Sequence, residues 1–582
     1  IDGMAERSVE VPAGGRVPVL FSLEAAKMGQ SRLTFEVSMG KERDAVRFEL
    51  PVHHPSPEKL LRVAHGATTK ERSISVELPD DAVASTAEID ISVDPDGLAG
   101  IEKGLRDLIS YPYGCLEQTT SRVVPMIAVR ELAETLELDG LSGKKLEGFV
   151  KAGIAKIGRH QTPYGGFSLW PGGRPQAYYT AYALWGLHQA KKAGFAVDEA
   201  RIKDGLMYLR QDGKRPNQSA PYYSKAGNLG AQAFALYVRS QLGDHDTAAA
   251  TVMAGEALMP LYGKAFVARA LAGGLKAGAD DPAVKKLVGE LAAVATSAAA
   301  SNKLISEPAE DRLWWYMSDS IRTTAVVVDA LVALDPGNAA IKPMVAVLMS
   351  KRRASPYLST QANLYSLLAL TNYAKAQSKA PPRVTIELSD KKVLATTLKG
   401  KSRVRLVTAA APGKKAQVVI KPRGEVHYSV QLRYRAKPKS LKPASNTLVL
   451  KREYFDEKGA AKKSFKVGDV VVVRLTMPLG ESKNHLMVSD RLPAGFEALN
   501  TRLATVGPVG EGRRHWGGYR ELRDERTDFS SEYAWRGTYQ REYMARAIAA
   551  GRFVLPPSVA ELMYKPEENA QTGIGTIEIK AK

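Results

Sequence analysis

The spacing of hydrophobic positions changes twice along the chain. From residue 16 to about 93, short apolar runs at 17–21, 33–37, 45–52, 73–78 and 87–93 alternate with turns, which predicts strands of a β region. From Gly97 to about Tyr373 the apolar residues recur at helical spacing, as in Tyr178, Tyr182 and Trp185 or Ala325, Val328 and Leu331. After Pro381 the strand pattern returns in VTIEL, KVLATTL, SRVRLV, AQVVI and HYSVQLRY, up to about Tyr434. The order predicts a helical block inserted into a β domain. RAKPKSLKPAS then reads as a linker into a last β domain from about Leu448, with turn signals at Gly468–Asp469 and Pro493–Ala494–Gly495.

Within the helical block one type of segment recurs, beginning at Thr180, Ala231, Lys264, Thr323 and Gln361. Each is rich in alanine and closed by glycine or another helix stop, as suits the inner helices of repeated hairpins that approach closely. An α/α toroid is the assembly this predicts.

With 582 residues the chain exceeds what one hydrophobic core serves. Hydrophobic residues at 44% and charged residues at 25% are ordinary for globular domains. The formal charge of +20 raises the question of an anionic partner. Its Lys and Arg are spread out, with local concentrations only at Arg435, Lys437, Lys439 and Lys442 and from Lys451 to Lys466, so a solvated basic surface and no nucleic acid is the expectation. A single cysteine excludes a disulfide framework and a Cys-rich zinc site, and neither metal nor cofactor is expected. The chain opens at Ile1 without an initiating Met, signal peptide or lipidation motif, which reads as a piece of a longer protein.

That one sulfur sits in YPYGCLEQTTSR, after a Pro–Tyr–Gly turn and at the expected start of a helix. Cys115 and Gln118 are three apart, so they share a helix face and the sulfur can reach the carboxamide. A helix N-terminus also favours the thiolate, which is the nucleophile. Attack on the Gln118 side-chain carbonyl with loss of ammonia would store an acyl group in a small ring. Two other readings stay open on the residues alone. In one, Cys115 is the nucleophile of a hydrolase or transglutaminase, which needs a positioned base that no local signature supplies. In the other, Cys115 is a small buried hydrophobe in a binding module.

The CLEQ run resembles the thioester motif of α2-macroglobulins and complement proteins, in its bacterial form; Leu116 departs from the GCGEQ run usual in animal members. GGFSLWPGG from Gly165 and STQANLYSLLAL from Ser359 resemble other segments of that family's helical thioester domain, and SDRLPAGFE from Ser489 and FVLPP…MYKPE from Phe553 resemble its terminal macroglobulin domain. The resemblance implies a CUB-like β domain at 1–96 and 377–444, with room in the first part for the end of a preceding macroglobulin domain. It implies an α/α toroid thioester domain at 97–376 and a macroglobulin-type β-sandwich at 445–582. It further implies a protease trap rather than an enzyme: a single-use Cys115–Gln118 thioester that acylates lysine amines of an attacking endopeptidase, in a monomeric, periplasmic, lipid-anchored protein of bacterial defence. The bait region would precede Ile1.

A stored thioester must be kept from water. The resemblance assigns this shielding to Tyr111 and Tyr113 on one side and Met563 and Tyr564 on the other, with Glu117 as a supporting motif residue that caps the helix start or complements its dipole. No histidine lies between His188 and His245, where complement-type relatives carry the one that redirects acylation to hydroxyls, so direct attack by an amine is expected. His160 and His188 are given no role.

Overall fold

The structure is a computed structural model that describes residues 6–15, 17, 19, 21, 29–52, 58–95, 108, 114–130, 143–212, 225–307, 317, 319–351, 359–376, 381–389, 391–398, 404–409, 415–437, 444–500 and 518–581. Strands β1 (Gly29–Met39) and β2 (Glu42–Val52) form an antiparallel hairpin. Strands β3 (Glu58–Thr68), β4 (Arg72–Val76) and β5 (Ala82–Asp94) lead into the helices. Strands β6 (Arg383–Leu388), β7 (Lys391–Thr397), β8 (Val404–Ala409), β9 (Ala416–Arg423) and β10 (Val426–Ala436) follow them.

Two four-stranded sheets, ordered β3-β10-β5-β8 and β4-β9-β6-β7, each combine strands from before and after the helices. Their inner faces meet in one apolar cluster that includes Ile89, Ile91, Ile386, Val418, Ile420, Val430 and Leu432. The helical block is thus an insertion, because a single β unit closes across it. Two details differ from the sequence expectation. Residues 17, 19 and 21 carry no strand, and β3 was not foreseen. In β3, Arg62, His65 and Gly66 break the apolar alternation; the strand lies at a sheet edge, held by backbone pairing to β10 rather than by a buried face of its own.

The α-helices whose bounds lie among the described residues are α1 (Leu116–Arg130), α2 (Gly143–Gly158), α3 (Ala177–Lys192), α4 (Glu199–Asp212), α5 (Lys225–Gln241), α6 (Thr247–Ala254), α7 (Leu261–Gly274), α8 (Pro282–Ala300), α9 (Ser320–Leu334), α10 (Ile341–Lys351) and α11 (Thr360–Ala376). The odd-numbered ones pack in a closed ring, α1 on α3, α3 on α5 and so on until α11 returns to α1. The five alanine-rich segments supply α3, α5, α7, α9 and α11; the sixth inner helix is α1, which follows Cys115. Small residues permit the closeness: a Cβ at Gly186 of α3 would meet Thr120 of α1 at 2.6 Å, and one at Gly230 of α5 would meet Tyr262 of α7 at 2.2 Å. Inner helices are buried nearly all round, as α3 shows from Tyr178 to Leu187. No helix among the described residues is long and apolar enough to cross a membrane.

In the last domain the strand Lys483–Arg491 is central to a six-stranded sheet and is buried on both faces. Leu486 and Val488 point into the domain's own core with Val471, Val473 and Phe529, whereas Met487 joins the core of the helical block. One sheet therefore has a second hydrophobic partner, and that face positions the site.

Candidate functional site

Cys115 immediately precedes α1 and is fully buried. Its backbone N–H donates to Gln118 Oε1 at 3.4 Å, and the Gln118 backbone N–H donates to Cys115 Sγ, also at 3.4 Å. The carboxamide is thereby turned back onto the cysteine, with a backbone donor on the oxygen that would become negative if sulfur added to the carbonyl. Gln118 Nε2 is buried without a hydrogen-bond partner among the described residues. The segment Gly165–Gly173 braces this turn: the Leu116 N–H donates to the Leu169 carbonyl at 2.9 Å, and the Phe167 N–H to Thr180 Oγ1 of α3 at 2.8 Å.

Glu117 lies in the first turn of α1, where an acidic side chain complements the helix dipole, but it is not exposed. Its carboxylate is fully buried and accepts from Ser121 Oγ, from Thr360 Oγ1 at 2.8 Å and 2.9 Å, from Gln361 Nε2 at 3.0 Å, and from Tyr564 OH at 2.8 Å. Three elements converge on it: its own helix, the start of α11, and the last domain. Sequence reasoning missed these partners. Thr360 and Gln361 open the STQANLYSLLAL segment already noted, and that was the available signal. Burial pushes the Glu117 carboxyl above its ordinary value, against the four donors, which favour the anion. Burial first, and then the Glu117 charge, also push the Cys115 thiol well above its ordinary value. A helix start that by itself would favour the thiolate is overruled by desolvation.

Met563 is buried and belongs, with Met487, to the apolar cluster of the helical block rather than to the core of its own sandwich; Tyr564 packs against the same cluster. His485 fixes this corner. It adopts φ 51, its carbonyl accepts the Met563 N–H at 2.9 Å, and its ring meets Tyr564 edge-on at 4.9 Å. A second bridge between the two domains is the stack of Trp170 on Tyr519, with ring centroids 4.7 Å apart. Tyr111 and Tyr113 lie outside the described residues. His160 is buried with Nδ1 3.2 Å from the Ser168 carbonyl, and desolvation lowers it to about 4; His188 is partly buried on α3 and lowered by burial and by Lys192 and Lys191.

Two domain families match the chain: the A-macroglobulin TED domain over residues 88–219 and the bacterial alpha-2-macroglobulin MG10 domain over residues 448–567. Alpha-2-macroglobulin of Xylella fastidiosa is 25% identical along 97% of this chain, which covers 35% of that protein, so the chain spans about a third of the length of such relatives. Native alpha-2-macroglobulin from Escherichia coli, solved from domain MG7 to the C-terminus, shares the fold with TM-score 0.78 and 21% identity over 95% of this chain and 88% of that one. Salmonella alpha-2-macroglobulin reacted with methylamine gives TM-score 0.79 at 21% identity, over 95% of this chain and 36% of that one. The two domain matches, a relative aligned along nearly the whole chain and the shared fold agree: this chain is bacterial α2-macroglobulin-like and corresponds to the C-terminal region of those proteins.

Proposed function

We propose that Cys115 and Gln118 are joined in the native protein by an internal thioester, and that the chain supplies the covalent arm of a protease trap. Formation joins Sγ to the Gln118 side-chain carbonyl carbon and releases Nε2 as ammonia. A lysine amine of a captured endopeptidase later attacks that carbonyl, and the Cys115 thiol leaves. The observation that carries the reading is the reciprocal Cys115–Gln118 hydrogen-bond pair around a buried amide nitrogen that has no partner among the described residues. An orphaned buried donor costs about 1–3 kcal/mol, which its departure removes.

Met563 and Tyr564 act as the cover that keeps water from the acyl group, and Glu117 holds that cover through Tyr564. The shielding role that the family resemblance gives Tyr111 and Tyr113 belongs to the same proposal. The sheets of β3 to β10 are read as the CUB-like carrier of the helical domain, and the full-length protein as a periplasmic, lipid-anchored monomer. The methylamine-treated Salmonella relative suggests the reagent for the test.

Fresh native protein should weigh one ammonia less than its sequence mass and resist thiol labelling. Methylamine should restore mass as a glutamyl amide and free the thiol, and heating should break the chain between Glu117 and Gln118 unless Cys115 is replaced by Ala. A labelable thiol beside an unmodified Gln118 in fresh protein would sink the reading.

A further inference from the structure

Thioester formation needs a group that takes the proton from a buried thiol and gives it to a departing amide nitrogen. Lys156 is placed for it. It lies near the end of α2, which packs on α1, and its amine rests against Gly114, the residue before Cys115. A Cβ at residue 114 would stand 1.9 Å from Lys156 Nζ and 3.0 Å from Cε, so glycine is what leaves the lysine room. Among the described residues, the Lys156 amine makes no hydrogen bond or ion pair.

The charged and titratable groups that act on it come from every side: Cys115 and Arg122 at α1, Glu521 and Arg523 of the last domain, and His160 beyond α2. Burial lowers the lysine from its ordinary value, with Arg122 and Arg523 adding to this and Glu521 and Cys115 opposing it. Arg122 also senses Cys115, but its guanidinium does not give up a proton and its Nε donates to the Leu108 carbonyl at 3.2 Å.

We propose that Lys156 carries the proton in both directions of the Cys115–Gln118 exchange. The proposal rests on the thioester reading above. In the forward direction the neutral amine removes the Sγ proton, sulfur adds to Gln118 Cδ, and the lysine ammonium returns the proton to Nε2 as the C–N bond breaks and ammonia leaves. One S–C bond forms, one C–N bond breaks and one proton passes from sulfur to nitrogen, so Lys156 ends as it began. In the reverse direction the neutral lysine takes the proton that the attacking amine loses, and the resulting ammonium gives it to sulfur as the S–C bond breaks.

The test compares wild type with Lys156→Met and Lys156→Arg by intact mass, thiol labelling and methylamine-driven thiol release across pH, with circular dichroism to check folding. Both folded variants should form the thioester incompletely or release thiol about 100-fold more slowly than wild type, and lose the wild-type pH dependence. Arginine should not rescue, because it keeps its proton. Equal occupancy and rates in either variant would overturn the proposal, and rescue by arginine alone would reduce Lys156 to a fixed charge. A wild-type mass lower by one ammonia with a free thiol would mean that Lys156 itself had been acylated, which also overturns it. A wild type without the mass deficit would instead overturn the thioester reading, and this proposal with it.

Discussion

Two carboxylates lie at the centres of two regions of the molecule, both almost completely removed from solvent, and they are held in opposite ways. In the last domain Asp490 accepts from Arg452 Nη1 at 2.7 Å, Tyr543 OH at 2.6 Å and Ser558 Oγ at 2.7 Å, all within one sandwich and with a cation opposite the anion. In the helical block Glu117 accepts, among the described residues, only neutral donors, and one of them, Tyr564, belongs to the other domain. A paired buried charge serves the stability of one domain. An unpaired one depends on its full set of donors, so its energy is tied to two domains staying docked. On the proposed function, that difference separates a fixed core from a cover that can be released.

The largest expected effect breaks the fixed side. Asp490→Asn leaves Arg452 buried without its anion and should destabilise the last domain by about 3–5 kcal/mol, measured as a lower denaturant midpoint for that domain. A change under about 1 kcal/mol would show that the arginine finds water or another acceptor.

Next comes the conditional side. Tyr564→Phe keeps the ring against the helical core and removes one hydrogen bond to a charged group, worth about 1.5–3 kcal/mol. Thiol release by methylamine should quicken by about tenfold or more while the unfolding midpoint of the last domain stays put. An unchanged release rate would mean that the cover is held by packing alone.

The pH dependence sharpens the comparison. Glu117 has its folded value raised by burial, so it favours the docked state while protonated, and that contribution is lost as pH rises from the ordinary carboxylate value of 4.5 through the raised one. The slope from this one group reaches at most about 1.4 kcal/mol per pH unit. Thermal stability of the docked protein should therefore fall with rising pH in that window more steeply than in Glu117→Gln; parallel profiles would show that the carboxyl does not change charge there.

The smallest effect concerns the second bridge. A double-mutant cycle of Trp170→Leu and Tyr519→Leu should give a coupling of about 0.5–1.5 kcal/mol for the stack, read from the same release assay. Zero coupling would leave Glu117–Tyr564 and the Met563 packing as the working contacts between the domains.

Much of this was written in local pattern. Five of the six inner helices announce themselves because a helix buried in a ring must be small and apolar at short, regular intervals, and Cys115 with Gln118 because residues three apart share a face whatever surrounds them. Strand β3 was not legible, since an edge strand paired through its backbone needs no clean alternation. The role of Glu117 was not legible either: its acceptor set is filled from 243, 244 and 447 residues away, and nothing local to CLEQ encodes those partners. The same holds for Lys156 resting on Gly114, and for Met563 and Met487 turning toward the helical block while their neighbours Leu562 and Leu486 fill the sandwich. Short-range spacing fixes which residues can react with each other. The dryness of the place where Cys115 and Gln118 meet comes from surfaces brought together over hundreds of residues, so burial, and with it every shifted proton affinity at the site, was decided only by the tertiary structure.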